Sequence, residues 1–417
     1  MPAGPISPAS GDDVAAVTTQ KSPAARLFWL DGVKGLSILW IVFFHFFKTY
    51  EDNRFPDALR AHYFASFLNQ CGADSLVSSL LCVGKGFFVA VANVGFHAVG
   101  VFLLMSGFGL TFSLARTGNP DGGWSAWYRS RVLRLFPMYW VAHIIYLVSP
   151  FQAHLEPLDY RFILSFFGDR IIPIYMIFSY ANAAWWYFDL ILELYIVFPL
   201  LFRLLQKIGP GWYLVICGVE TIVSRYLLLF VIRGSGNWLL GGFCGCRLWE
   251  FSLGMVVGMW YRQNRAWIDA RLFNPLTLIA GVLIYTAGLY SYESPLAYTL
   301  TDALIGTGLS VILAHIAFQS RRLARVEAAI AYVGVFSYGL YLIHQPYVIY
   351  LGERMRWMTL YEFVAAACPI IALLAVFCAQ LERFVNRIVN FALKDKASEK
   401  ARGVVDSPPH RALSGGG

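Results

Sequence analysis

Residues 27–47 read LFWLDGVKGLSILWIVFFHFF, an almost wholly apolar run whose ionisable exceptions are Asp31, Lys34 and His45. An α-helix rises about 1.5 Å per residue, so a run of this length matches the ~30 Å hydrocarbon core of a bilayer. A helix of a soluble solenoid would carry a continuous polar face, and this stretch has none. Comparable runs recur at 94–115, 132–148, 185–205, 212–232, 238–261, 276–292, 300–318, 329–351 and 363–381. Two other apolar stretches, 76–91 and 162–180, are shorter or interrupted, and we expect them to be interfacial or re-entrant pieces within loops. The expected fold class is therefore all-α: a polytopic integral membrane helical bundle of about ten transmembrane helices.

The composition agrees. Of 417 residues, 58% are hydrophobic and 17% aromatic while only 14% are charged, which excludes a set of soluble domains. Basic residues fall in alternate loops: Lys21 and Arg26; Arg116, Arg129 and Arg131; Arg203 and Lys207; Arg262, Arg265 and Arg271; then Arg321, Arg322 and Arg325. Because positive loops are retained inside, this pattern predicts that both termini are cytoplasmic. It also accounts for the net charge of +8 without a nucleic-acid partner, since no single basic patch forms.

Residues 1–26, rich in Pro, Ala, Ser and Thr, read as a disordered tail and not a signal peptide, and 393–417 reads as a second disordered tail. Residues 27–392 form one membrane unit without an evident repeat. Cys217, Cys368 and Cys378 lie in spans, Cys244 and Cys246 are too close for an unstrained bridge, and Cys71 with Cys82 can pair if their loop faces an oxidising side.

Ionisable residues inside spans are the informative ones, because each costs at least a few kcal/mol (~2.5 or more) unless paired or hydrated. Lys34 and His45 are eleven positions apart in sequence. That places them about 20° apart around a helix and about 16 Å apart along it. One stripe thus carries a cation near one end and, deeper, an imidazole able to exchange a proton near neutral pH. Asp31 is placed to pair with Lys34. Lys34 can also simply snorkel to the headgroups, and His45 can also be interhelical glue.

In the third run, Arg131 and Arg134 share a helical face; anchoring suffices for Arg129, whereas binding of phosphates or a carboxylate explains Arg134, a turn deeper, better than anchoring does. Asp189 and Glu193 share a face of the fourth. Arg247 and Glu250 are spaced to pair with each other. His97, His143, Asp302, His315 and His344 stand as single polar residues, which alone are more often packing groups than catalytic ones.

Six ordered segments resemble acyltransferase family 3, membrane enzymes that include O-acetylases of surface polysaccharides. LDGVKGLSILWIVFFH (30–45) is similar to the first-span motif of a basic residue, ten others and a histidine; FLLMSGF (102–108), with Ser106, to the second-span signature; and RVLRLFPMYW (131–140) to the two-arginine motif. WYFDLILELYIVFPLL (186–201), RLWEFSLGM (247–255) and FSYGLYLIHQP (336–346) resemble later patterns, bringing in Glu193, Glu250 and His344 as supporting polar residues. Lys34 stands where the family usually has Arg, and the loop 48–93 looks longer than the family's.

The resemblance implies an O-acyltransferase that moves an acyl group, most often acetyl, from cytoplasmic acyl-CoA to a hydroxyl of a surface or exported glycan or glycolipid, in a bacterial inner membrane. His45 would act as general base with Lys34 beside the reaction, and Arg129, Arg131 and Arg134 would hold the donor. Acyl-CoA is then a co-substrate, with no permanently bound cofactor and no metal. The rival reading is a polytopic transporter or lipid-linked glycan exporter, in which the same buried charges would line a permeation path.

Overall fold

The structure, a computed structural model, describes residues 27–71, 75–114, 118–150, 159–168, 181–232 and 236–405, with the backbone alone at 236–238 and 394–405. The expected tail 1–26, most of the 162–180 stretch and residues 406–417 lie outside the described residues. The described chain is all-helical, without a strand. Its helices are α1 Phe28–Glu51, α2 Tyr63–Cys71, α3 Leu76–Asn93, α4 Ala98–Leu114, α5 Gly123–Val148, α6 Tyr160–Ser165, α7 Trp186–Tyr226, α8 Gly236–Gly242, α9 Leu248–Gln263, α10 Arg265–Leu272, α11 Pro275–Tyr290, α12 Thr301–Gln319, α13 Ala324–Val335, α14 Ser337–Arg354 and α15 Leu360–Val405.

Among the described residues, eight helical segments are long and apolar enough to cross a membrane, or nine if α13 and α14 count as one bent span. Large apolar side chains such as Leu200, Leu283, Leu373 and Phe391 point outward, and Phe46, Tyr139, Trp185 and Phe251 fill the interior. That is the inverse of a soluble surface and the pattern of a protein embedded in lipid.

Several expected spans differ in detail. The run 238–261 is not one helix: α8 stops at Gly242, and α9 begins only at Leu248 after a turn of 3-10 helix over Gly245–Arg247. The run 329–351 is bent by 80° between α13 and α14. A hydropathy average does not register one non-helical residue such as Phe336, so both breaks pass unseen in the sequence. Conversely, the runs 185–205 and 212–232 are joined through α7, which a π-helical turn, Leu227–Ile232, continues, and the break between them is at Gly209, which takes φ 78° beside Pro210. The last helix continues past 393, where a disordered tail was expected to begin.

The 76–91 stretch is a full helix, α3, started by a reciprocal cap in which Ser75 and Ser78 bond each other's backbone N–H groups. The disulfide Cys71–Cys82, with Cα atoms 6.2 Å apart, ties α2 to α3. The far end of α3 stops against the middle of α1, where the Trp40 indole donates to Val91 O at 2.8 Å. A 3-10 turn, Gly95–His97, then hands the chain to α4 and leaves His97 buried at that depth.

Backbone fits fix the register of the helices that carry polar residues. A methyl on Gly107 would lie 2.0 Å from Phe251 O, and one on Gly254 the same distance from Leu104 O, so α4 and α9 touch backbone to backbone. On α1, a methyl on Gly35 would meet Ile330 O at 2.0 Å, and one on Gly334 would meet Asp31 O at 1.8 Å. Lipid gives helices no hydrophobic reason to associate, so such small-residue contacts, which maximise van der Waals packing, are the expected cement.

Candidate active site

α1 and α14 run side by side in the same direction, from the Gly334–Asp31 contact to an ion pair between Arg356 and Asp52 at 3.1 Å. Two cavities lie along them in succession. The first, about 630 Å³, is lined by Lys34 of α1, Ser106 of α4, Arg131 and Arg134 of α5, Glu382 of α15 and the bend between α13 and α14. Lys34 also pairs with Asp31 at 2.7 Å, as its spacing predicts. Among the described residues no carboxylate forms an ion pair with Arg131 or Arg134; the Arg131 guanidinium lies over Trp127, 5.3 Å from the ring centre.

Because α14 starts at this bend, Ser337 and Tyr338 of its first turn line the same cavity, and the Gly339 N–H donates to Glu382 at 2.7 Å. Cations converging on a helix N-terminus make a site for an anionic group.

Beyond the first cavity, His45 of α1 meets His344 of α14, with Nδ1 of the former 3.1 Å from Nε2 of the latter. The protons can be assigned from the acceptors. His344 Nδ1 lies 3.0 Å from Leu340 O and 2.9 Å from Tyr341 O, and carbonyl oxygens only accept, so Nδ1 carries the hydrogen. In a neutral ring Nε2 of His344 is then the acceptor, and His45 Nδ1 is the donor. The remaining nitrogen of His45, Nε2, keeps its lone pair, which is the form a general base requires.

His45 lines the second cavity, about 250 Å³, together with His97, Trp186, Arg247, Tyr292, Tyr298 and Asp302. Tyr341 borders both cavities and separates them. Its hydroxyl donates to Ala184 O, and the segment before α7 is pinned to α14 by further bonds: Asn182 Nδ2 and Trp185 Nε1 both donate to Leu342 O at 2.9 Å, and the Ala184 N–H donates to Gln345 Oε1 at 2.6 Å.

The charges of the second cavity are matched among themselves. Asp302 bridges Arg225 and Arg247, the latter at 2.7 Å, and Arg247 also approaches Glu250 at 3.0 Å, the pairing its spacing predicts. Arg225 further donates to Tyr298 O at 2.9 Å. His97 lies between Tyr285 at 2.9 Å from Nδ1 and Tyr292 at 3.1 Å from Nε2.

Of the residues singled out in the sequence, the structure brings Lys34, Ser106, Arg131 and Arg134 to one cavity and His45, in contact with His344, to the other. Arg129 is exposed and is not part of that lining. Glu193 lines neither cavity; its carboxylate accepts the Cys244 N–H at 2.8 Å and so holds the break before α9. Glu250 belongs to the charge network.

Sequence reasoning passed over Arg225, Tyr341 and Glu382, and it treated Asp302 and His97 as isolated when both are networked. Arg225 carried a usable signal, a lone arginine deep in an apolar run. Asp302 is 77 positions from Arg225, and that pairing is visible only in three dimensions. His143 is a packing residue, buried with Nε2 3.0 Å from Ser165 Oγ and its ring stacked 3.9 Å from Trp185.

The acyltransferase-domain family model matches residues 27–379. Acyltransferase MdmB of Streptomyces mycarofaciens is 23% identical over 318 residues, which cover 69% of this chain and 78% of that protein. No solved structure matches. The matched span runs from the start of α1 into α15 and takes in the histidine pair, the whole lining of the second cavity and all of the first except Glu382 and Asn386; the chain belongs to acyltransferase family 3 and is a membrane acyltransferase.

Proposed function

We propose that the protein is an acyl-CoA-dependent O-acyltransferase that transfers a short acyl group, acetyl in the simplest case, from a cytoplasmic donor to a hydroxyl of a surface or exported glycan, working in a bacterial inner membrane. The observation that carries this reading is the placement of His45, held by His344, on the second cavity, which is polar and aromatic and which Tyr341 divides from the first, where Arg131 and Arg134 form no ion pair among the described residues. The first suits the phosphates of CoA: Arg131 and Arg134 can each offer a planar fork, Lys34 a point charge, and the start of α14 its N–H groups. The second suits a hydroxylated ring, with Trp186 as a stacking surface and Asp302, Tyr292 and His97 as hydrogen-bonding partners.

In this reading the donor thioester reaches past Tyr341 to His45. The acceptor hydroxyl gives its proton to His45 Nε2 as its oxygen attacks the thioester carbonyl, forming a C–O bond. The C–S bond then breaks, and the thiolate of CoA takes the proton back from His45. His344 holds His45 in the tautomer that can accept, so it is a positioning residue.

The test is a pair of substitutions at position 45 in purified full-length protein, followed by acyl-CoA consumption and acceptor acylation. His45→Ala should keep its abundance and donor affinity while turnover falls by the ~10²-fold or more expected for a lost general base. His45→Gln should be equally impaired, because an amide can satisfy His344 but cannot take a proton. Turnover near the parental level in the Gln variant would reduce His45 to interhelical packing and remove the proposed mechanism.

A further inference from the structure

A third cavity, about 680 Å³, shares no lining residue with either of these sites and is lined almost entirely by hydrocarbon, including Leu36, Phe87, Val91, Leu289, Ile312 and Ile316. It is a groove between α1 and α3 on one side and α11 and α12 on the other. Phe87, Tyr290 and Ile316 of its lining are exposed, so it opens sideways to lipid. One end is roofed by the segment before α2, fastened where the Ala61 N–H donates to Glu293 at 2.8 Å. That roof contributes the one cation of the lining, Arg60. Its contact with Asp57, 3.4 Å between two half-exposed side chains, is of the weak surface kind and leaves Arg60 available to a phosphate.

The groove adjoins the chamber beside His45, with a hydrogen-bonded Tyr285–His97 pair between the two. Tyr285 forms part of its wall and bonds His97, which lines that chamber and bonds Tyr292 on the chamber's other side. The parts match an amphiphile: a hydrocarbon chain in the groove, an anionic linkage at Arg60, and a hydroxylated head group led past Tyr285 and His97 into the chamber. We propose that the acceptor is a lipid-linked molecule, a hydroxylated head group on a long hydrocarbon chain, and that this groove holds the chain while the head group is acylated. This rests on the reading of the chamber as the acceptor site. It makes the substrate class one that arrives within the membrane plane and not from solution.

The test uses full-length protein in phosphatidylcholine nanodiscs with a hexadecyl glucoside carrying a photoactivatable diazirine on its chain. Adducts mapped by mass spectrometry should concentrate on Phe87, Val91, Leu289 and Ile312, and should be displaced by unlabelled hexadecyl glucoside but not by methyl glucoside. Thr286→Trp, an exposed lining position that can be filled without disturbing the core, should cut labelling at least fivefold, while Leu373→Trp on the lipid-facing side of α15 should not. Labelling spread evenly over α15 and the groove, or unchanged in Thr286→Trp, would mean that bulk lipid alone fills the groove and would overturn the proposal. Acyl transfer to hexadecyl and methyl glucosides is measured in the same discs. Specific labelling without transfer to either would support the groove as a lipid site and count against the acyltransfer reading of the chamber. Transfer to both with equal KM would overturn the lipid-linked acceptor.

Discussion

Arg225 and Arg247 are answered by carboxylates on neighbouring helices, whereas Arg131 and Arg134, in the same bundle, face a cavity without an ion pair among the described residues. The side chains are chemically identical, and their surroundings assign them opposite tasks. A buried arginine matched by Asp302 and Glu250 is part of the scaffold: its charge is already neutralised, and it shapes the chamber without needing a ligand. An arginine left open beside the start of a helix stores an unmet demand that an anionic substrate can satisfy. The number of charged residues in a span therefore says little about where a ligand binds; the degree to which they are mutually satisfied says more.

The comparison is most sharply broken at Asp302. Asp302→Asn leaves two buried guanidinium groups without their shared counter-charge, and breaking a buried pair from one side costs about 3–5 kcal/mol. Folded protein recovered in detergent should fall severely, with a much lowered melting temperature by fluorescence-detected size exclusion. A variant that folded normally and lost only activity would move Arg225 and Arg247 from scaffold to substrate binding.

A smaller effect of a different kind is expected in the open cavity. Arg131→Ala and Arg134→Ala should leave the melting temperature nearly unchanged and weaken acyl-CoA binding by about 10-fold or more each, the equivalent of a lost charge-assisted hydrogen bond. Isothermal titration with a non-hydrolysable acyl-CoA analogue would read this directly. Unaltered affinity in both variants would remove the donor from this cavity. The smallest effect belongs to Arg129→Ala, whose side chain is exposed and outside the lining: donor affinity should change by less than about twofold, the range expected of an exposed charge.

The two regions also differ in how far the sequence disclosed them. The cation-to-histidine stripe on α1 was legible because it depends on one helix, and so were the Asp31–Lys34 and Arg247–Glu250 pairs, each three residues apart and found at 2.7 and 3.0 Å. The embedding of the bundle was legible because length and hydropathy are local quantities. Asp302 and Glu382 were not, since their partners come from distant parts of the chain and no periodicity links them. The broken helices escaped for another reason. The bend at Phe336 and the interruption before α9 are held by tertiary contacts, such as the Glu193 bond to Cys244, and their own residues carry no proline to announce them. Those breaks are what bring the start of α14 to the first cavity and Arg247 to the second.

The glycine fit between α1 and α13 fixes one more property, which concerns insertions and deletions. Gly35 and Gly334 lock the lower part of α1 against its neighbour, and the His45–His344 contact locks the upper part. Between these two anchors the helix behaves as a shaft keyed at both ends. One extra residue would turn His45 by about 100° and lift it about 1.5 Å, carrying it off His344 and away from the chamber. Most of the apolar residues along this stretch can change identity so long as they stay apolar, Trp40 with its bond to Val91 excepted, but their number cannot change.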